Sequence, residues 1–285
     1  MDPSIAWWIW PLALFGVCLL MGMLAVPAGI GGGSLFVPIV GSFFPFHLDF
    51  VRGAGLMVAL ASALAAAPTL MRGGLASLRL AMPLALLGSI SAVAGAFIGL
   101  ALPVQVVQTA LGLLVLAIVL VMWRSKASTL DTPSEPDAWA RALTLHGIYT
   151  DPNSGRAVPW GARRTPLGLL AFLCIGMLAG VFGLGAGWAN VPALNLLMGV
   201  PLKLSAGTSG LILSLVDSSA AWVYLNQGAI LPLLVVPSVL GVMLGAKIGA
   251  GLLQRWDAQL IRQLVIGTLL FAGLRALLKG LGVWP

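Results

Sequence analysis

Long apolar runs constrain this chain more than any other feature. Eight are long enough to cross a bilayer: roughly 7–29, 50–71, 80–101, 104–123, 166–184, 204–225, 229–252 and 258–278. A transmembrane helix needs about 20 such residues. The runs are uninterrupted rather than striped, so they do not describe the one-sided helices of a soluble bundle. Only 8% of the 285 residues are charged, against about 25% in soluble domains. A water-facing surface cannot be covered with so few. The expected fold class is an all-α polytopic membrane protein, with lipid as its surroundings. The opening Met-Asp-Pro-Ser lacks the basic n-region of a signal peptide, so the first run is expected to be a retained helix.

Two shorter apolar pieces, about 34–45 and 188–199, follow the first and fifth runs. They are too short to span, which predicts half-helices or re-entrant segments. Between 124 and 165 the composition turns polar and charged. This stretch is expected to be a solvated linker. Within it, Leu143–Tyr149 and Arg156–Trp160 around a Thr-Asp-Pro-Asn-Ser-Gly turn read as a small β-hairpin, or else as an irregular connection.

The chain also contains an internal repeat. Without a gap, Gly22, Met23, Leu24, Ala25, Gly29, Gly31, Gly33, Val37 and Pro38 match Gly176, Met177, Leu178, Ala179, Gly183, Gly185, Gly187, Val191 and Pro192. The same offset pairs Leu48 with Leu202, Gly53 with Gly207, Gly74 with Gly228 and Pro83 with Pro237. A small gap pairs Gly95-Ala-Phe-Ile-Gly99 with Gly245-Ala-Lys-Ile-Gly249. Apolar chains match Leu and Val by chance; matched Gly and Pro in order indicate duplication.

Charges suggest how the halves lie. Arg72 and Arg79 follow the second run, but Asn226-Gln-Gly228 follows its partner. No basic residue follows the third run, but Arg255 and Arg262 follow its partner. By the positive-inside rule, equivalent loops then face opposite sides. The expectation is two inverted repeats, each of four long transmembrane helices plus a glycine-broken half-helix or re-entrant segment. They would occupy 1–123 and 166–285, with a cytoplasmic linker at 124–165 and both termini outside. Arg275 and Lys279 near the C-terminus run against this orientation.

The formal charge of +7 does not indicate nucleic acid, because the basic residues sit in loops and no binding motif accompanies them. Two cysteines and two distant histidines give no metal site. No cofactor is implied, and no catalytic constellation points to an enzyme. Trp7, Trp8, Trp10, Trp123, Trp160, Trp256 and Trp284 lie near run ends and read as an interfacial belt.

Chemistry is expected at the glycine breaks. Gly29-Ile-Gly-Gly-Gly-Ser34 and Gly183-Leu-Gly-Ala-Gly-Trp188 disfavour helix, each Gly by about 1 kcal/mol relative to Ala. A break inside a bilayer survives only where protein or a water-lined cavity satisfies the backbone. Each break precedes a half-helix whose first N–H groups lack intrahelical partners and attract anions. Gly31, Gly32, Gly33, Ser34, Gly185, Gly187 and Trp188 are thus candidate substrate-binding residues, joined by Asn190. The alternative is that the glycines serve close helix packing. Ser205, Thr208 and Ser209 open the sixth run and could donate to an anion, or bond back to their own helix. Arg52, in the equivalent stretch, reads as an anion-attracting gate or an interfacial anchor. Asp217 and Lys247 fall within runs, where charges are costly and usually functional. They are candidates for ion coupling, or for a structural pair.

The two glycine motifs, together with Ala206-Gly-Thr-Ser209 and Gly245-Ala-Lys-Ile-Gly249, resemble the sulfite/sulfoacetate exporter (TauE/SafE) family. The resemblance covers both halves and excludes the linker. It implies a secondary transporter exporting small sulfur-containing anions, such as sulfite, sulfoacetate or other sulfonates, from the bacterial inner membrane. Coupling would be to protons, with alternating access. An anion channel, or a carrier for another small organic anion, is the alternative. The expected partners are the anion and membrane lipid, with small-residue faces that would also suit a homodimer. Ala186 in the second motif, and the missing hydroxyls at Arg52-Gly-Ala-Gly55, make the halves chemically unequal.

Overall fold

The computed structural model describes residues 8–28, 32–72, 74–124, 135–150, 157–185, 187–252 and 258–283. Helices α1 (Ile9–Ala28), α2 (Gly32–Phe43), α3 (Leu48–Arg72), α4 (Leu78–Ala101) and α5 (Val104–Arg124) form the first half. A linker follows, with α6 (Ala138–Ala142) and strands β1 (His146–Thr150) and β2 (Ala157–Gly161). The second half holds α7 (Thr165–Phe182), α8 (Gly187–Pro192) running into a π-helical stretch (Ala193–Leu197), α9 (Leu202–Asn226), α10 (Pro232–Leu252) and α11 (Ala258–Gly280). Among the described residues, six helices are long and apolar enough to cross a membrane, and α1, α2 and α10 add shorter apolar segments. Leu78, Met82, Leu86, Ile90 and Phe97 of α4 are all exposed along one outer face, as a lipid-facing surface requires. The chain is a multi-pass helical membrane protein.

Local chemistry sets the helix ends. Ser77 caps α4, its side chain accepting from the Leu80 amide, and Asp137 caps α6 through the Ala140 amide. Pro166 stands in the first turn of α7, where a missing N–H costs nothing. Gly183 ends α7 with φ +66°, a left-handed turn that an L side chain resists.

The packing partners exchange under the repeat. Helix α1 packs on α10 as α7 packs on α4, α3 faces α9, and α5 faces α11. A Cβ built on Gly22 would sit 2.5 Å from the Val242 carbonyl oxygen; one built on Gly176 would sit 2.2 Å from that of Gly88. Likewise a Cβ built on Gly53 would clash with the Ala229 carbonyl oxygen, and one built on Gly207 with that of Leu75. Both pairs obey the ungapped offset that matches Gly22 to Gly176. The gapped pairing of Gly95–Gly99 with Gly245–Gly249 is therefore corrected. It shifts the register by about one helical turn, which preserves the helix face but not the contacts.

The same contacts give direction. The start of α3 meets the segment just after α9, and the start of α9 meets the segment just after α3, so these two equivalent helices run antiparallel. Gly241 abuts Phe15 and Gly245 abuts Leu19, so α1 and α10 run parallel, as do α4 and α7. Gly280 against Thr109, and Gly273 against Val115, set α5 and α11 antiparallel.

The hairpin forms, with His146 opposite Gly161 and Thr150 opposite Ala157; its turn, 151–156, lies outside the described residues. The preceding helix α6 was not foreseen. The hairpin packs on the main bundle. Tyr149 and Trp160 join the core cluster of α4, α7 and α9, and the Arg163 amide donates to the Met198 carbonyl at 2.8 Å. Trp160, only 7% exposed, is a core residue of the hairpin and not part of an interfacial belt. Trp8 and Trp123 are exposed near the ends of α1 and α5. Trp7, Trp256 and Trp284 lie outside the described residues.

Candidate functional site

The two glycine breaks meet. A Cβ on Gly33, the second residue of α2, would lie 2.9 Å from the Leu184 carbonyl oxygen of the other break. It would also lie 2.5 Å from the Ala59 methyl, and a Cβ on Gly185 would lie 2.7 Å from that same methyl. One alanine of α3 thus separates the two breaks. Gly185, with φ +66°, is closed on its other side by Asp217, whose Oδ2 would be 3.1 Å from that Cβ. Ala59 and Asp217 fall well inside α3 and α9, so the junction is deep within the bundle. Gly31 and Ala186, the residues that complete the two motifs, lie outside the described residues.

The two half-helices differ. Helix α2 is regular over 12 residues, about three turns, and is buried along most of its length. Its first residues, Gly32 and Gly33, open a regular helix end beside the junction, where a helix leaves its leading N–H groups without intrahelical acceptors. Helix α8 is only six residues before the π-helical stretch begins. Only α2 supplies a full regular helix terminus, because the second copy widens to a π-helix after Pro192.

Two buried polar side chains of the second half have no hydrogen-bond partner, one at the junction and one on α8. Asp217 is 0% exposed, and neither carboxylate oxygen is satisfied. Asn190, on α8, is also 0% exposed, with both amide atoms unsatisfied. Burying such groups unpaired costs on the order of 1–3 kcal/mol each, more for a charge. Native proteins keep them where a ligand or proton completes them. Gly187 is buried and Trp188 is partly buried against the α1/α2/α10 core cluster.

The other sequence candidates separate from this junction. Ser205 Oγ donates to the Val200 carbonyl at 3.1 Å, and Thr208 Oγ1 accepts from the Ser77 amide at 3.1 Å. Both fasten loops at the linker end of the bundle. Ser209, one residue further, is buried. Lys247 is exposed on α10, and among the described residues Asp217 forms no ion pair. The pair of Asp217 with Lys247 does not form, and the structure leaves Asp217 as the only charged candidate at the junction.

Arg52 is 1% exposed, so it is no interfacial anchor. Its Nη1 donates to the Gly99 carbonyl at 3.0 Å and the Val181 carbonyl at 2.8 Å, Nη2 pairs with Asp49, and the guanidinium lies over the Tyr224 ring. The Tyr224 hydroxyl donates to the Gly180 carbonyl at 2.9 Å. The Gly180 and Val181 carbonyls belong to the last turn of α7, which a helix end leaves unsatisfied. The Gly183 amide donates to the Ala179 carbonyl at 2.8 Å. Protein thus closes the end of α7 just before the break, with a cation favourably placed at the negative helix end. Tyr224 was missed in the sequence, although it is one of only two tyrosines and lies inside a run.

The family model "Sulfite exporter TauE/SafE" matches residues 14–276, both halves and the linker between them. A "Probable membrane transporter protein YunE" from Bacillus subtilis (strain 168) is 27% identical over 115 residues, which is 40% of this chain and 42% of that protein. This chain therefore aligns with less than half the length of that relative. No solved structure matches. With both glycine motifs inside the matched region, the chain belongs to the sulfite exporter TauE/SafE family of membrane transporters.

Proposed function

We propose that this protein is a secondary transporter of small sulfur-containing anions, such as sulfite, sulfoacetate or other sulfonates, in the bacterial inner membrane. The observation that carries the reading is the meeting of two broken helices around Ala59, beside the unpartnered Asp217, with the unpartnered Asn190 on the short helix that follows the second break. Broken helices facing each other in the bilayer interior are the usual construction of a carrier site. The α2 N–H groups and the Asn190 amide would hold the sulfonate or sulfite oxygens. Asp217 would carry a coupling proton. Export is the direction that the family's name describes, and for this chain it is part of the proposal.

The two halves act as inverted repeats in this reading, 1–123 and 166–285, with the 124–165 linker in the cytoplasm. The antiparallel run of α3 against α9, and the reciprocal Gly53–Ala229 and Gly207–Leu75 contacts, support it. Alternating access would come from one bundle rocking against the other.

Purified protein in liposomes tests the proposal. Labelled sulfite and sulfoacetate are offered with and without an imposed pH gradient. Saturable uptake that responds to the gradient is expected. Movement of neither anion under any gradient would remove the substrate class.

A further inference from the structure

The site's charge arrangement bears on the sense of coupling as well as its existence. Asp217 lies against Gly185, and Gly185 shares the Ala59 methyl with Gly33 at the start of α2. An anion held at the α2 terminus and a carboxylate at Asp217 are therefore near neighbours, with no cation between them among the described residues. The neighbouring helices bring none. From α3, Arg52 is engaged by Asp49 and two carbonyls, and Arg72 is the last residue at the linker end. From α4, Arg79 is exposed at the linker end; from α7, Cys174 is exposed; α8 carries no titratable residue. On α9 itself, Lys203 is in the first turn and Tyr224 is bound to Gly180 two turns beyond Asp217.

We infer that the proton on Asp217 and the substrate anion bind together and cross together, so that the protein is an anion–proton symporter with one proton per cycle. The inference rests on the proposed anion site. Two like charges roughly 10 Å apart at a buried site repel enough to change an affinity about tenfold. Protonating Asp217 removes that repulsion, so the proton raises anion affinity and, by linkage, the anion raises proton affinity. Ligands that favour each other's binding occupy the same carrier state. An antiporter needs the opposite, ligands that exclude each other. Among the described residues Asp217 is the one buried carboxylate at the junction, which sets one proton. A doubly charged anion crossing with one proton carries a net negative charge, so an inside-negative membrane voltage favours its export while an inward pH gradient by itself opposes it.

The test uses full-length protein in liposomes loaded with a pH-sensitive dye, with the membrane voltage clamped by potassium and valinomycin. Sulfoacetate is the probe, because it stays fully ionised between pH 6 and 8. An inward sulfoacetate gradient should acidify the lumen in step with label uptake. Asp217→Asn, a neutral isostere, should exchange sulfoacetate for sulfoacetate with no proton movement. Its binding, read by tryptophan fluorescence, should be flat with pH while the wild-type affinity falls about tenfold as pH rises. Lumenal alkalinisation with uptake would show antiport and overturn the inference. Uptake without any pH change would overturn it too, and would leave the anion carrier standing. If no sulfoacetate moves, the anion site itself fails and the inference with it. Should Asp217→Asn not fold, the sign of the wild-type proton movement still decides.

Discussion

Arg52 Nη1 donates to the Val181 carbonyl oxygen at 2.8 Å, and this bond ties the third helix of the first half to the last turn of the first helix of the second. The same side chain holds Gly99 and Asp49 and lies over Tyr224. It therefore braces the end of α7 at Gly183, next to the point where Leu184 and Gly185 meet Gly33 and Ala59.

Arg52→Ala should lower stability by on the order of 3 kcal/mol, because it strands the Gly99 carbonyl, leaves Val181 only the longer Tyr224 bond and takes the arginine from Asp49. Thermal unfolding in detergent, followed by tryptophan fluorescence, measures this. Arg52→Lys should recover only part of the loss, since an ammonium cannot span carbonyls and carboxylate as a planar fork does. An unchanged melting temperature in Arg52→Ala would show that the brace is not structural.

Gly183→Ala should be strongly destabilising. Its φ is +66°, and the added methyl would lie 2.4 Å from the Arg52 carbonyl oxygen. The left-handed conformation alone costs about 1–2 kcal/mol for an L residue, and backbone at that distance cannot yield cheaply. Gly16→Ala is the control. Nothing lies within 4 Å of its Cβ position, and it sits inside α1, so stability should hold or rise by up to about 1 kcal/mol. Comparing the two melting temperatures separates close approach from general glycine loss.

Asn190→Leu should keep or raise stability while weakening anion transport about tenfold or more. The amide has no partner to lose, and an apolar side chain of similar size removes an unsatisfied group. A melting curve and a sulfoacetate uptake curve on the same preparation check it. Loss of folding with no specific change in anion affinity would make Asn190 structural. Lys247→Gln should change neither the pH dependence nor the affinity, since its side chain is exposed away from Asp217.

The linker should loosen in acid. Burial pushes the Asp137 carboxyl up, but hydrogen bonds from the Ala140 amide and from the Thr165 amide and hydroxyl, with Arg141 nearby, outweigh it and leave the carboxyl below its usual value. A carboxylate depressed on folding stabilises above its unfolded pKa, about 4, and loses that contribution as pH falls toward its folded value. Hydrogen exchange at Ala140 and Thr165 should therefore quicken below about pH 4, beyond its intrinsic pH trend. Asp137→Ala should show the loss already at neutral pH, at about 1 kcal/mol for a lost cap.

The helices, the two halves and the broken segments were legible in the sequence for physical reasons. Lipid cannot satisfy a backbone, so spans must be long and apolar, and each run became a helix within a few residues of its expected ends. Duplicated Gly and Pro record close approaches and helix starts that no other residue tolerates, which is why Gly22 and Gly176 predicted equivalent contacts. Asp217 and Asn190 were visible as polar residues in apolar surroundings. Their lack of partners was not visible, because a partner is a matter of distance in space. Only the packed structure carried Lys247 to the outer face, spent Ser205 and Thr208 on loops, and buried Arg52 against the end of α7. Those outcomes depend on which helix faces which, and side-chain pairing across helices far apart in sequence leaves no periodicity to read. Composition and spacing determined that this chain is a helical membrane bundle with two glycine breaks; tertiary packing decided that the breaks meet at Ala59, beside a carboxylate that nothing else satisfies.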